Sequence, residues 1–390
     1  MEEKSEELKC EIFKTCGGCS LLNVDYPKQL LMKNLTLKQL FKKKLNMSIK
    51  INPILGMDNP YHYRNKGKYV IGKQKEKYQM GLYREGTHEI LHTTSCKLHQ
   101  EKINEVAEEC FHLIQKYKIT PYDEEKKRGI IRHLIIRYGV HTQEIMIIFV
   151  TINQKIARRE AIVKELLVKF PNIKTIVQNI NEKQTSAILG NTNIKWYGSG
   201  FIVDKLQDLK FKISPLSFYQ INSLQTEVLY NKAIEYAGLT GKEVVYDLYS
   251  GIGTISLFAS RYSAKVIGIE IVKDAVKDAI ENAKLNKIEN VKFLSGKVEN
   301  VLPEMIQKEK RADVIFVDPP RSGLDKKTIE TLLEVKAKKI LYISCNPETL
   351  GENLKELRKY YEVKEIQPVD MFPMTGHVEC ITLLNLKENL

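Results

Sequence analysis

The chain has 390 residues, 43% of them hydrophobic, and 61 Lys and Arg against 48 Asp and Glu give a formal net charge of +13. That length allows two or three domains with cores of their own, and no apolar run approaches the roughly 18 to 20 residues that would span a bilayer. The acidic start Met1-Glu2-Glu3-Lys4-Ser5-Glu6-Glu7 is unlike a signal peptide, so a cytoplasmic protein with no membrane partner is expected. The basic excess asks for a polyanionic partner, of which nucleic acid is the commonest.

The first 25 residues hold Cys10, Cys16 and Cys19 in the spacing C-x5-C-x2-C, with Gly17-Gly18 permitting a tight wrap; Cys96 follows much later in Thr93-Thr94-Ser95-Cys96. Disulfides are not expected in a reducing compartment. Four thiolates can hold zinc or an iron–sulfur cluster, and spacing alone does not decide between them. Residues 26–45 have a helical rhythm, with Leu30, Leu31, Leu35 and Leu40 on one side. Residues 28–50 contain seven lysines and no acid, and residues 61–84 contain seven basic residues, one glutamate and five tyrosines. Cations that track phosphates and tyrosines that stack on unpaired bases suit single-stranded or distorted RNA, although the same tyrosines could form one face of a sheet. Strands are predicted at 68–71, 129–138 and 144–152, the last two as an antiparallel hairpin about Gly139-Val140-His141-Thr142. A helix at 156–170 and a strand at 174–180 complete an α+β module.

From Ser214-Pro215 onward the pattern changes. A helix at 222–237 precedes strands at 243–248, 265–270, 291–294, 313–317 and 340–344, with helices at 254–260, 273–286 and 326–334 between them. Such alternation predicts a parallel sheet with right-handed crossovers. Strands at 362–369 and 378–386 add an antiparallel edge pair. The expected boundaries are 1–25 for a cluster-binding segment, 26–50 for a basic helix, 51–213 for the central module, which contributes Cys96, and 214–390 for a catalytic domain.

Residues 244–254 read as a strand, a glycine turn and a helix start, and Gly251 and Gly253 let the backbone approach a ligand closely. Glu270 ends the next strand 19 residues after Gly251, where an acid can bind a ribose diol. The third position of the dinucleotide fingerprint is Ser256, which disfavours a pyrophosphate-bearing cofactor. An adenosine ligand without phosphates fits, and S-adenosylmethionine is the common one. Asp318-Pro319-Pro320-Arg321 stiffens the exit of another strand. Ser344-Cys345-Asn346-Pro347 places a thiol at the carboxyl end of a third, as nucleophile or as packing residue.

These groups suit one reaction. Uracil C5 is a poor nucleophile until a thiolate adds at C6 and turns the ring into an enolate. C5 can then take a methyl group from a sulfonium, a base removes the C5 proton, and elimination frees the cysteine. His377-Val378-Glu379 supplies a candidate base.

The set resembles the RNA uracil-C5 (5-methyluridine) methyltransferase family, in its iron–sulfur-containing 23S ribosomal RNA branch. The resemblance covers nearly all of the chain and rests on Ser217-Phe218-Tyr219-Gln220-Ile221-Asn222, residues 247–254, Asp318-Pro319-Pro320-Arg321, Ser344-Cys345-Asn346-Pro347 and Met371-Phe372-Pro373 with His377-Val378-Glu379. It implies that Cys345 is the nucleophile and Glu379 the base, that Gln220, Tyr249, Glu270 and Asp318 bind S-adenosylmethionine, and that Phe218 lies near a flipped target base. It further implies a 4Fe–4S cluster on Cys10, Cys16, Cys19 and Cys96, whose expected role is structural because methyl transfer needs no electron; Cys110 and Cys380 have no assigned work and are expected to be packed. Met374 stands where some members have histidine, outside the catalytic pair. With the cysteine motif starting at Cys10, the amino-terminal oligonucleotide-binding barrel of some members is not expected, and RNA affinity would come from the middle module and the lysine stretches.

The implied fold class is α/β: a Rossmann-like S-adenosylmethionine methyltransferase domain with a smaller α+β RNA-binding module and an N-terminal Fe–S cluster segment. The expected enzyme is a monomer that makes 5-methyluridine in 23S rRNA. Transfer RNA is the alternative substrate. A nicotinamide oxidoreductase with an iron–sulfur cluster is disfavoured by Ser256 and by the Cys345/Glu379 pair. A non-enzymatic Fe–S RNA-binding protein is the rival outside catalysis.

Overall fold

The computed structural model describes residues 10–152, 156–183, 187–309 and 312–388. Two compact units divide them: one gathers the residues up to Leu22 with Tyr61–Lys205 and Lys212–Leu216, the other Asn23–Pro60, Leu206–Phe211 and the residues from Ser217 on. No helix among the described residues is long and apolar enough to cross a membrane.

The first unit is built on a seven-stranded sheet in the order Ile90–His92, Lys77–Tyr83, Lys66–Gln74, Ile131–Tyr138, Ile145–Thr151, Ile173–Ile180, Thr192–Gly198. All neighbours pair antiparallel except Ile145–Thr151 with Ile173–Ile180, the two strands joined through the helix Arg159–Lys169. The expected hairpin forms as an antiparallel pair, Ile136 opposite Ile147. The helix Glu101–Lys116 was not anticipated. It buries Ile103, Val106, Ala107, Cys110, Phe111, Leu113 and Ile114, an i, i+3, i+4 stripe. That stripe shares a core with Leu134, Ile136, Ile147 and Phe149, where each fully buried side chain contributes roughly 1.5–3 kcal/mol.

The second unit carries a seven-stranded sheet in the order Val291–Ser295, Lys265–Glu270, Val244–Leu248, Val314–Val317, Lys339–Ser344, Glu379–Leu386, Tyr361–Val369. The first five strands are parallel, as their alternation with helices predicts. The strand order reverses between Val244–Leu248 and Val314–Val317, and the crevice outside the carboxyl ends at such a switch point is where open α/β sheets bind ligands. The tail strands form the expected antiparallel pair at one edge of the sheet. Glu379–Leu386 inserts antiparallel beside Lys339–Ser344, and Tyr361–Val369 takes the edge.

Two expectations about residues 26–60 change. The helix Tyr26–Leu45 forms over the expected span, but its buried face is Gln29, Lys33, Leu37, Phe41 and Leu45. Leu31 and Leu35 are 60% and 49% exposed. The i, i+4 row that docks contains a lysine because Asp370 neutralises it, Lys33 Nζ to Asp370 Oδ1 being 2.7 Å. The helix and the following segment to Pro60 belong to the second unit, so residues 51–60 leave the central module in which the sequence boundary placed them. In the same way the cysteine segment clusters with the central module instead of standing apart.

Candidate active site

The glycine turn after Val244–Leu248 is conformationally special at three positions. Tyr249 has φ +66°, Gly251 +53° and Gly253 +85°, and a non-glycine residue in the left-handed region marks stored strain of the kind found at ligand sites. A Cβ on Gly253 would stand 2.7 Å from the Phe293 ring, whereas one on Gly251 would meet nothing within 4 Å. Gly253 is thus small for packing and Gly251 leaves space for a ligand.

Glu270 organises this turn. Its Oε2 accepts from the Gly251 N–H at 3.0 Å and its Oε1 from the Val272 N–H at 2.7 Å. Each oxygen keeps a second lone pair for a ribose hydroxyl. Beneath the turn, Asp247 Oδ2 accepts from Ser256 Oγ at 2.5 Å, while Oδ1 is buried with no hydrogen-bond partner among the described residues. Burial pushes Asp247 up to about 7, with the charges of Asp318 and Glu270 adding to the rise against the Ser256 hydrogen bond. A bound ligand with a donor at this floor would satisfy that acceptor. Ser256, read from the sequence only as a missing glycine, is the hydrogen-bond partner of the loop's acid.

Asp318 leaves Val314–Val317 beside Leu248, its N–H reaching the Leu248 carbonyl at 3.4 Å, and burial pushes its carboxyl up to about 7. One strand further, Cys345 follows Lys339–Ser344 and is half-buried. Asn346 caps the next helix by accepting from the Glu348 N–H at 3.2 Å and also donates Nδ2 to the Arg321 carbonyl at 3.0 Å. Thr349 Oγ1 donates to the same carbonyl at 3.2 Å. The Cys345 turn and the Asp318–Arg321 turn are therefore tied together.

Glu379 opens the next strand, where its neighbour Cys380 is the register partner of Ser344. Glu379 is only 3% exposed. Burial pushes it up to about 8, with Asp318 adding to the rise and Arg321 opposing it. The Cys345 thiol is pushed up to about 11 by burial, then by Glu379 and Asp318, again against Arg321. The thiol and the two carboxyls thus share one electrostatic environment. Arg321 acts on both the thiol and Glu379, although the sequence reading gave a role only to Asp318 of that motif. Tyr230 was also missed: it is buried on the helix Ser223–Ala237, its hydroxyl lies 3.1 Å from Thr254 Oγ1, and the charges of Asp318, Asp247 and Glu379 all act on it. Nothing in the spacing of that helix distinguishes Tyr230 from an ordinary core aromatic.

The remaining expected residues lie in the same unit. Tyr249 is half-buried with its hydroxyl 3.5 Å from Thr328 Oγ1. Gln220 is half-buried two residues before Asn222, the N-cap of Ser223–Ala237. Phe218 is 67% exposed, an aromatic face left in solvent beside the buried Tyr219.

The four N-terminal thiols of the sequence expectation lie in the other unit. Cys10, Cys16, Cys19 and Cys96 are all half-buried free thiols, whereas Cys110 and Cys380 are buried. The Gly18 N–H points at Cys16 Sγ at 3.4 Å, and Asn104 Nδ2 fixes the Cys96 carbonyl at 3.0 Å. Burial pushes Cys19 up to about 12, with the charges of Cys96, Cys16 and Cys10 adding to it against Arg64. Arg64 Nε is buried without a hydrogen-bond partner among the described residues. The four thiols are therefore near enough to feel one another, and an unsatisfied donor stands beside two of them. Among the described residues no group of three or more His, Cys, Asp or Glu is placed to hold a metal ion.

Residues 25–387 match the family described as tRNA (Uracil-5-)-methyltransferase. An uncharacterized RNA methyltransferase of Bacillus cereus is 42% identical over 385 residues, covering 98% of this chain and 84% of that protein. One of Staphylococcus aureus is 44% identical over 380 residues, with 97% and 84% covered. Among solved structures, that of Pyrococcus abyssi tRNA (uracil-54, C5)-methyltransferase in complex with S-adenosyl-L-homocysteine is similar at TM-score 0.79 and 28% identity, covering 94% of this chain and 86% of that one. The chain belongs to the tRNA (uracil-5-)-methyltransferase family, and it is an S-adenosylmethionine-dependent RNA uracil-C5 methyltransferase.

Proposed function

We propose that the chain methylates C5 of a uridine in 23S ribosomal RNA, with Cys345 as nucleophile and Glu379 as base. The Cys345 thiolate adds to C6 of the flipped uracil, breaking the C5–C6 double bond and moving the electron pair to an enolate. C5 then attacks the methyl carbon of S-adenosylmethionine, whose sulfur leaves with the bonding pair. Glu379 takes the proton from C5, the double bond re-forms, and the thiolate departs with the electrons of the C6–S bond. The observation that carries this reading is the position of Cys345 and Glu379 at neighbouring strand ends, where Glu379 raises the Cys345 thiol and Asp318 and Arg321 act on both, beside the Asp318 and glycine-turn crevice.

Gln220, Tyr249, Glu270 and Asp318 are the residues proposed to hold S-adenosylmethionine, which supplies an electrophilic methyl group. The open face above Gly251 and the free lone pairs of Glu270 support that assignment. Exposed Phe218 is proposed to stack on the target base or its neighbour. Cys10, Cys16, Cys19 and Cys96 are proposed to hold a 4Fe–4S cluster, for which they would supply four thiolate ligands. The mutual influence of the thiols and the unsatisfied Arg64 Nε favour it.

Transfer RNA is the second reading, favoured by the likeness to a transfer RNA uracil-54 enzyme. Anaerobic incubation with radiolabelled S-adenosylmethionine, offering unmodified ribosomal and transfer RNA separately, tests both by nucleoside mass spectrometry. Labelled 5-methyluridine in ribosomal RNA alone is expected. Label in transfer RNA alone would keep the chemistry and overturn the substrate. No label in either would favour an Fe–S RNA-binding protein without turnover.

A further inference from the structure

Glu379 occupies a place that strand pairing alone holds weakly. It is the first residue of its strand, and its partner Val369 is the last residue of the edge strand, so the pair is the terminal rung of the ladder. Terminal rungs fray at little cost. Nine residues, 370–378, connect the two strands, where a tight hairpin needs only two to five. Yet most of this connection is buried: Asp370, Met371, Pro373, Met374, Thr375 and Val378 are all enclosed.

What fixes it is a set of side chains from the helix Tyr26–Leu45. The carboxyl of Asp370 is bound at both oxygens, by Lys33 Nζ at 2.7 Å and by the Tyr26 hydroxyl at 2.9 Å. Lys33 Nζ donates again to the Phe372 carbonyl at 3.2 Å. Gln29 clasps Met374, accepting from its N–H at 3.1 Å and donating to its sulfur at 3.1 Å, which stabilises a non-glycine residue at φ +65°. From the other side, Asn222 donates to the Met371 carbonyl at 3.1 Å. Inside the connection, Thr375 Oγ1 donates to the Phe372 carbonyl at 2.8 Å and accepts from the His377 N–H at 3.2 Å. The Lys33 and Asp370 side chains are 2% and 0% exposed, so this ion pair is part of the core and not a surface contact. Removing one partner of such a pair is far costlier than removing both.

We infer that Lys33 and Gln29 are positioning residues for Glu379: by clamping residues 370–374 they hold the terminal rung that carries the base. This inference rests on the proposed role of Glu379. It separates two halves of the reaction, because the Cys345 turn is held by other bonds, from Asn346 and Thr349 to the Arg321 carbonyl. Loosening the clamp therefore leaves addition and methyl transfer largely in place and slows removal of the C5 proton. The covalent RNA adduct builds up.

The test uses the full-length protein and whichever RNA transcript the parent methylates. Lys33→Met, Gln29→Ala and the neutral pair Lys33→Met/Asp370→Asn are compared with Glu379→Gln. Turnover of 5-methyluridine, denaturation-resistant RNA adduct on gels and affinity for S-adenosylhomocysteine are measured. The expected result for Lys33→Met is a fall in turnover of about 100-fold, the scale of an ångström-sized misplacement, with accumulated adduct and unchanged S-adenosylhomocysteine affinity. Gln29→Ala, which leaves no buried charge unpaired, shows the same pattern more weakly and guards against a Lys33→Met protein that fails to fold. Turnover lost without adduct, while Glu379→Gln does trap adduct, would overturn the clamp alone. Unchanged turnover in the neutral pair and in Gln29→Ala would also overturn it. Absence of adduct in Glu379→Gln itself would instead remove the base assignment on which the clamp depends.

Discussion

Cys345 and the four N-terminal thiols are all half-buried, yet they are held in different ways. Cys345 sits one residue past a parallel strand, and its neighbours in the site arrive on adjacent strands by ladder hydrogen bonds. Cys10, Cys16 and Cys19 lie in turns with no regular structure, and Cys96 joins them from a distant loop. The sheet site is preorganised by the fold and needs no metal to exist. The loop segment brings thiols close enough to raise one another, with Arg64 acting on Cys19 in the opposite sense. A rigid scaffold suits chemistry that requires fixed geometry, whereas a cofactor can itself order a loop-rich segment.

The sharpest break between the two regions is expected from Cys345→Ala. It should lower 5-methyluridine formation at least about 10^4-fold, as loss of a nucleophile does, without altering iron content. Nucleoside mass spectrometry with an iron assay checks both. Glu379→Gln should reduce turnover by about 10^2 to 10^4-fold, the range of general base catalysis, and leave an RNA adduct that survives denaturation. In the other region, Cys19→Ala should lose iron and sulfide and lower the melting temperature, by roughly 2–4 °C for each kcal/mol lost, while S-adenosylhomocysteine binding in the second unit is unchanged. Scanning calorimetry and titration calorimetry would show it; an unchanged iron content would remove Cys19 from the ligand set.

Smaller effects probe the shared charge of the sheet site. Because burial and Asp318 hold the proton on Glu379 up to about 8, the base is protonated below that pH and ionised above it. Breakdown of the adduct in single-turnover experiments should accelerate as pH rises through about 8. Asp318→Asn removes a negative neighbour, favours the ionised form and should move that rise to lower pH. Arg321→Ala removes the cation that opposes the rise of both Cys345 and Glu379. It should slow methylation about fivefold or less, since solvent screens an exposed guanidinium.

The lysine-rich stretches show where a compositional reading falls short. In the run at 28–50, Lys33 is buried on Asp370, Lys44 pairs with Glu348 and Glu352, and Lys50 pairs with Glu365. Lys28, Lys38, Lys42 and Lys43 remain exposed and available to a polyanion. A charge count treats all seven alike because the acids that neutralise three of them lie some 300 residues later. The helix Pro347–Leu357 was hidden for a different reason. It contains proline and glycine, but the proline stands in its first turn behind the Asn346 cap, where no hydrogen bond is lost. The strand Thr192–Gly198 is solvent-facing with no alternation to mark it, and Ile202–Leu206 and Leu209–Ile213 alternate in burial but are only five residues each.

By itself the sequence determined the parallel α/β half, the helix Thr254–Ser260 and strand Lys265–Glu270 to the residue, and the residue types at the strand ends. Local periodicity and turn chemistry are enough for these, because each strand's apolar run and the turn after it are contiguous. Only the tertiary structure decided that Asp370 neutralises Lys33, that Arg321 acts on both Cys345 and Glu379, and that Tyr230 reaches the charged crevice. Each of these is an interaction between groups far apart in the chain. Its energy depends on burial and on distance through a low-dielectric interior, quantities that no local pattern of residues encodes.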